Sequence, residues 1–217
     1  MILDDDLEGA LAALPLFPLG DIVLLPGVFL PLHIFEPRYR KMVRDILDGH
    51  RSMAVVQIAA GPPVDGEGHP PIAPVAGVGT VVDCVELSNG RYNIMLRGRL
   101  RVDLAELPFV SPYRRATCRV RTTTEEVLQP HALPALLAAV TAFVSALQKR
   151  ESRFEFRLPK AATSEVVINH CAQHLLMDGR DRQQILETDD LRARAERLTE
   201  MVALQQLSLS REGGMPN

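Results

Sequence analysis

Among 217 residues the chain has no tryptophan, three tyrosines and seven phenylalanines, and its positive charge is nearly all arginine, lysine occurring only at positions 41, 149 and 160. So few aromatics leave little for stacking against the bases of single-stranded nucleic acid. Cys84, Cys118 and Cys171 are odd in number, widely spaced and without a CxxC pair. That excludes a disulfide framework or a zinc site and reads as three reduced, mostly buried thiols. No apolar run approaches the ~20 residues of a membrane span; the longest, Ile22 to Leu32, is broken by Pro26, Gly27 and Pro31. The first residues are acidic (Asp4, Asp5, Asp6) where a signal peptide starts basic. A cytoplasmic protein without a membrane partner is the expectation.

What is present is enough for a core. Hydrophobic residues make up 47% of the chain, and the net charge of −3 with a pI near 6.1 gives the whole molecule no electrostatic reason to seek nucleic acid.

The first half reads as β. Leu16 to Leu19, Ile22 to Leu25 and Val28 to Leu32 are short apolar runs separated by proline and glycine. Pro37 suits a first helical position, Tyr39, Met42, Val43, Ile46 and Leu47 follow at helical spacing, and Gly49 would end that helix. Met53 to Ala59 reads as a buried strand and Gly61 to Pro74 as a surface loop. Gly79 to Leu87 and Tyr92 to Leu96 flank Asn89-Gly90, the preferred centre of a type I′ hairpin. Arg99 to Leu104 and Arg115 to Arg121 complete the strands, which suggests a small antiparallel barrel-like sheet with one helix inserted.

Beyond Thr123 the period becomes helical. Leu133, Leu136, Leu137, Val140, Phe143, Val144 and Leu147 form one stripe. Thr163 or Ser164 can cap a second helix carrying Ile168, Cys171, Ala172 and Leu175, with Gly179 as its stop. Asp181 with Gln184 resembles a cap for a short third helix, and a last one runs from about Asp190 with Leu191, Ala195, Leu198 and Val202 on one face. The expected organisation is α+β: a β subdomain over 10–123, a helical subdomain over 124–210, and a frayed tail over 211–217.

The proline-patterned stretch Leu14-Pro-Leu-Phe-Pro-Leu-Gly-Asp-Ile-Val-Leu-Leu-Pro-Gly27, followed by Pro31-Leu-His-Ile-Phe-Glu-Pro-Arg-Tyr39, resembles the opening of the amino-terminal domain of Lon proteases. Gly77-Val-Gly-Thr80, the Asn89-Gly90 hairpin and Leu96-Arg-Gly98 follow in the family's order. The resemblance covers Leu14 to Arg121 well and the helical region to about Leu207 less specifically. It implies a PUA-like pseudo-barrel followed by a helical bundle, here as a stand-alone relative without ATPase or protease modules. It further implies a non-enzymatic module that recognises polypeptide or a protein partner. Val28, Phe29, Leu30, His33, Glu36, Arg38 and Tyr39 are the candidate contacts, Leu16, Phe17, Ile22, Leu24 and Phe35 the expected barrel filling.

Catalytic patterns are missing. Gly61 to Gly68 echoes a phosphate loop, but the GK[ST] ending is absent and Asp65 and Glu67 would repel phosphate. His170 and His174 share a helix face, yet Cys171 stands where HExxH has its glutamate, and two ligands of the usual four are evident. No cofactor is expected. The competing expectation is RNA: from Val85 to Arg121 eight arginines face three acids, and Arg97, Arg99 and Arg101 alternate, as do Arg119 and Arg121. The plain counter-reading is a solvated strand face balanced by acids of the helical half.

Overall fold

A computed structural model describes residues 5–124, 132–160 and 162–212. The chain divides into two units, one ending at Thr122 and the other beginning at Thr123.

The first unit is a ring of strands. β1 (Leu14–Leu19), β3 (Ser52–Gln57), β4 (Val75–Glu86), β5 (Tyr92–Glu106) and β6 (Arg115–Arg121) pair in the circuit β1-β3-β4-β5-β6-β1, and β2 (Phe29–Ile34) adds to β5. The ring is mixed rather than wholly antiparallel, since β1 and β3 run parallel, Leu16 facing Ala54. Its closure depends on the length of β5. One edge of β5 serves β4 throughout; the other serves β2 from Tyr92 to Arg97 and β6 from Arg101 to Glu106. The two strands expected at Tyr92–Leu96 and Arg99–Leu104 are therefore one, bent by a bulge at Arg99 where Gly79 pairs with Gly98 and Val78 with Leu100.

β3 is buried along its whole length because both faces are covered. Met53 and Val55 meet the helix α2 (Pro37–Leu47) through Met42, Val43 and Ile46, while Ala54 and Val56 meet Leu7 and Leu11 around α1 (Asp5–Ala10). That short acidic helix has too few residues to carry a periodic signal, so the sequence pattern does not announce it. α2 begins at Pro37 as expected, ending at a C-cap on Asp48.

Ile22 to Leu25 is no strand. Its residues Val23, Leu24 and Leu25 are buried irregular chain that crosses Gly77, Gly79 and Gly98. A Cβ on Gly77 would lie 1.8 Å from the Leu24 carbonyl oxygen, and one on Gly98 2.1 Å from that of Leu25. Pro26 and Gly27 (φ 81°) then turn the chain into β2, Val28 N–H donating to Leu25 O at 3.3 Å. The β4–β5 hairpin sits where Asn89-Gly90 placed it, but as a three-residue loop. Gly90 N–H donates to Leu87 O, Leu87 N–H to Arg91 O, and only Gly90 (φ 72°) is left-handed.

The second unit contains α3 (Ala132–Arg150), α4 (Ser164–Leu175), α5 (Gly179–Glu187) and α6 (Leu191–Glu212). Thr163 caps α4, accepting from Val166 N–H. Gly179 opens α5 rather than closing α4, because Asp178, not Asp181, is the N-cap and accepts from Arg180 N–H at 2.7 Å. Asp190 caps α6 through Ala193 N–H. Leu136, Val140 and Phe143 of α3, Ile168, Cys171, Ala172 and Leu175 of α4, and Leu191, Ala195, Leu198 and Val202 of α6 are buried. At its centre Arg194, fully buried, bonds Glu165, Asn169 and the Thr188 carbonyl. Residues 213–217 of the expected tail, and residues 125–131 at the start of the expected helical subdomain, lie outside the described residues.

Candidate functional site

Strand alternation decides which candidate residues reach solvent. Gly98 N–H donates to Val28 O, so Val28, Leu30, Leu32 and Ile34 turn their backbone polar groups toward β5 and their side chains into the core, where all four are buried. Phe29, Pro31 and His33 take the opposite phase. Their side chains are exposed, and their backbone groups face the second edge of β2, with which no described strand pairs. Pro31 fits there because it has no N–H to give to the ladder. The candidate set thus splits: Phe29 and His33 are on the surface, while Val28 and Leu30 are core.

Phe35 continues the outward series. It is 56% exposed, against 53% for Phe29, and its ring stacks near that of His33 at 6.2 Å between centroids. The expectation that Phe35 fills the barrel is corrected accordingly, because the i, i+2 alternation of β2 runs one step past its end. Across the face, Met95 lies opposite Pro31, and Asn93 opposite His33 with its Oδ1 at 2.7 Å from the His33 Nδ1. Val85, 51% exposed, borders an open concavity of about 460 Å³ lined also by Pro31, His33, Asp83 and Met95.

Glu36, Arg38 and Tyr39 belong elsewhere. They border a separate, more enclosed cavity at the start of α2, with Arg38 Nε donating to Glu36 Oε2 at 2.9 Å. The Tyr39 ring is buried edge-on against Phe17 at 4.6 Å.

The arginines do not form one open row. Arg101 is 2% exposed and donates to Thr122 O, while Arg119 and Arg121 both pair with Asp103 of β5 at 2.7 and 2.6 Å. Arg114, also buried, pairs with Glu106. Among the described residues, the acids paired with Arg114, Arg119 and Arg121 belong to β5. Arg97 is exposed and Arg99 half-buried. The bulge at Arg99 is what breaks the alternation on which a shared face depended.

In α4 the rings of His170 and His174 lie 4.4 Å apart, and His170 Nε2 is 3.0 Å from Arg157 O. Among the described residues no group of three His, Cys, Asp or Glu could hold a metal ion. Burial lowers the pKa of both histidines, and the charge of His170 lowers His174 further. A depressed folded-state value contributes stability that is present above the unfolded pKa of about 6.5 and lost as pH falls through the folded value. The urea midpoint of the helical unit should accordingly drop between pH 7.5 and 5.5, and the double variant H170Q/H174Q should show a smaller drop. Burial pushes the Cys118 and Cys171 thiols up to about 12, which leaves them protonated and poor as nucleophiles or ligands. In the loop after β3, Asp65 is occupied with Glu67 N–H and His69 N–H, closing its own turn. No described helix is long and apolar enough to cross a membrane.

The fold of strand ring and helical unit is shared with solved Lon amino-terminal domains. The Lon N-terminal domain protein from Xanthomonas campestris superposes with a TM-score of 0.62 at 23% identity, covering 87% of this chain and 97% of that one. The N-terminal domain of Mycobacterium avium complex Lon protease gives 0.62 at 14% identity, covering 88% and 98%. The chain belongs to the ATP-dependent protease La (LON) substrate-binding domain family, whose model matches residues 13–203. Lon protease 2 from Sorangium cellulosum is 28% identical over 202 residues, and Lon protease from Roseiflexus castenholzii 26% over 186; these cover 89% and 83% of this chain. The chain spans about a quarter of the length of these curated relatives.

Proposed function

We propose that this domain holds extended polypeptide segments without acting on them chemically, using the outward face and open edge of β2. The observation that carries this reading is the series Phe29, Pro31, His33 and Phe35 beside strand backbone that no described strand pairs. An extended segment could hydrogen-bond to the N–H and C=O groups of Phe29 and His33 and lay alternate side chains against Phe29 and Phe35, with Val85 and Met95 beyond. Backbone pairing tolerates many sequences, which suits recognition of unfolded segments. The family match supports a substrate-recognition role and adds a polypeptide as the class of partner.

Phe29→Asp tests it. Phe29 is half exposed, so the variant should keep its thermal transition, while its affinity for a fluorescently labelled unfolded polypeptide should fall about tenfold or more. Unchanged anisotropy titrations in a folded variant would sink the proposal. A labelled RNA oligomer in the same assay covers the arginine reading: salt-sensitive RNA binding with polypeptide ignored would replace one with the other.

A further inference from the structure

The cavity at the start of α2 has a chemistry of its own. Its volume of about 170 Å³ is below the roughly 300 Å³ at which sites for drug-sized ligands begin, so it suits a small group rather than a whole cofactor. Prolines 18, 70 and 112 and Ile58 supply apolar wall, and the polar tips come from Arg38, Tyr39, Arg114, His69 and Glu36.

Three features at this cavity ask for the same partner. First, α2 starts without a capping side chain: the Glu36 carboxylate turns to Arg38 instead of the helix amides. Tyr39 N–H and Arg40 N–H both donate to Glu36 O, which leaves the Arg38 N–H without a partner among the described residues, at the position a cap would serve. The positive end of the helix dipole adds to its attraction for an anion. Secondly, Tyr39, 7% exposed as a residue, lines the cavity, and its hydroxyl bonds none of the described residues. Thirdly, two guanidiniums reach the lining, each already paired with one carboxylate, Arg38 with Glu36 and Arg114 with Glu106. Arg38 engages a single oxygen of Glu36 through Nε and Nη2. Arg114, 6% exposed, engages Glu106 Oε2 through Nε and Nη2, and Pro70 O through Nη1. With five donors each, both arginines retain N–H groups. His69 is held by Asp65 at 2.7 Å and contributes wall.

We infer that this cavity binds the carboxylate of a bound polypeptide, taking one oxygen on the Arg38 amide and the other on the Tyr39 hydroxyl beside the two guanidiniums. The inference rests on the polypeptide-binding reading only for the source of that carboxylate. A chain terminus and an aspartate or glutamate side chain carry the same group. Charge-assisted bonds of this kind are the stronger class of hydrogen bond; burial pushes the Tyr39 phenol up, Arg38 and Arg114 offsetting this only in part, so the group stays protonated and able to donate.

The test is an amide-resolved NMR titration of the full chain with N-acetylglycine, N-acetylglycinamide and the α-amide of N-acetylaspartate. Saturable shifts of the Arg38 and Tyr39 amides are expected with a carboxylate and not with the neutral glycinamide. N-Acetylglycine mimics a chain terminus and the aspartate derivative a side chain, so their relative affinity assigns the source. Tyr39→Phe deletes only a hydroxyl that bonds none of the described residues. It should leave the thermal transition unmoved or raised and weaken carboxylate binding about tenfold. If neither carboxylate saturates, or Tyr39→Phe binds them as tightly as the parent, the inference is overturned. Either result is independent of Phe29→Asp, which reads the polypeptide proposal alone.

Discussion

Arg194→Ala is expected to destabilise the helical unit by about 3–5 kcal/mol, the range for breaking a buried charge network by removing one partner. Arg194 is the largest polar side chain with no exposed surface in this unit. Its Nη1 reaches Glu165 at 3.0 Å and Asn169 at 3.2 Å, and its Nε and Nη2 both donate to the Thr188 carbonyl at 3.1 and 2.9 Å. Alanine would leave an Asn169 oxygen, a carbonyl and part of a carboxylate desolvated without that donor, and would open a cavity among α4, α5 and α6. Urea unfolding followed by helical circular dichroism should show the midpoint falling sharply. Arg119→Ala is the contrast: its side chain is 84% exposed in its pair with Asp103, and it should change stability by less than about 1 kcal/mol. Equal, small effects from the two variants would mean that the Arg194 network does not hold the unit together.

Gly98→Ala should be as severe in the strand unit, with a loss of about 3 kcal/mol or more, because backbone rather than a flexible side chain stands in the way. The added methyl would meet the Leu25 carbonyl oxygen at 2.1 Å and its carbon at 2.9 Å. Gly98 also exchanges bonds with this crossing, donating to Val28 O at 2.8 Å and accepting from Gly27 N–H at 2.9 Å. Neither side can retreat without opening the turn that starts β2. Gly20→Ala meets nothing within 4 Å and should stay within about 0.5 kcal/mol of the parent. A Gly98→Ala protein with parental urea midpoint would show that the crossing chain is free to move.

Gly98 also marks where reading the sequence stops. α2 is legible because Pro37, the apolar stripe and Gly49 all state one helix. Gly77 and Gly98 are visible as parts of a pattern, but their reason is a tertiary crossing by Leu24 and Leu25, 50 or more residues away in the chain, which no local signal encodes. The arginine row misleads for a related reason. Alternation predicts a shared face only while the ladder stays in register, and the bulge at Arg99 breaks it before Arg101, which turns inward. At the candidate site, the Pro26-Gly27 corner points to Phe29. Period-two reading from Phe29 would also have excluded Val28 and Leu30 and found Pro31 and Phe35. The pocket at α2 is less accessible to such reading, because Arg114 reaches it from a segment some 75 residues beyond Tyr39.

The ring is fastened by its first and last strands: Leu14 faces Ala116, Pro15 faces Arg115, and Leu16 N–H donates to Arg114 O at 2.9 Å. A chain emerging from the ribosome can form the β4–β5 hairpin and lay α2 down early, but β1 must wait with an unpaired edge until residues near 121 have been made. During that interval the nascent unit shows its neighbours the open edges of β1 and of the distal half of β5, both later hidden by β6. Synthesis of roughly a hundred residues therefore separates the first half of the closing contact from the second, and the entropy of closing that span must be met before the ring is complete.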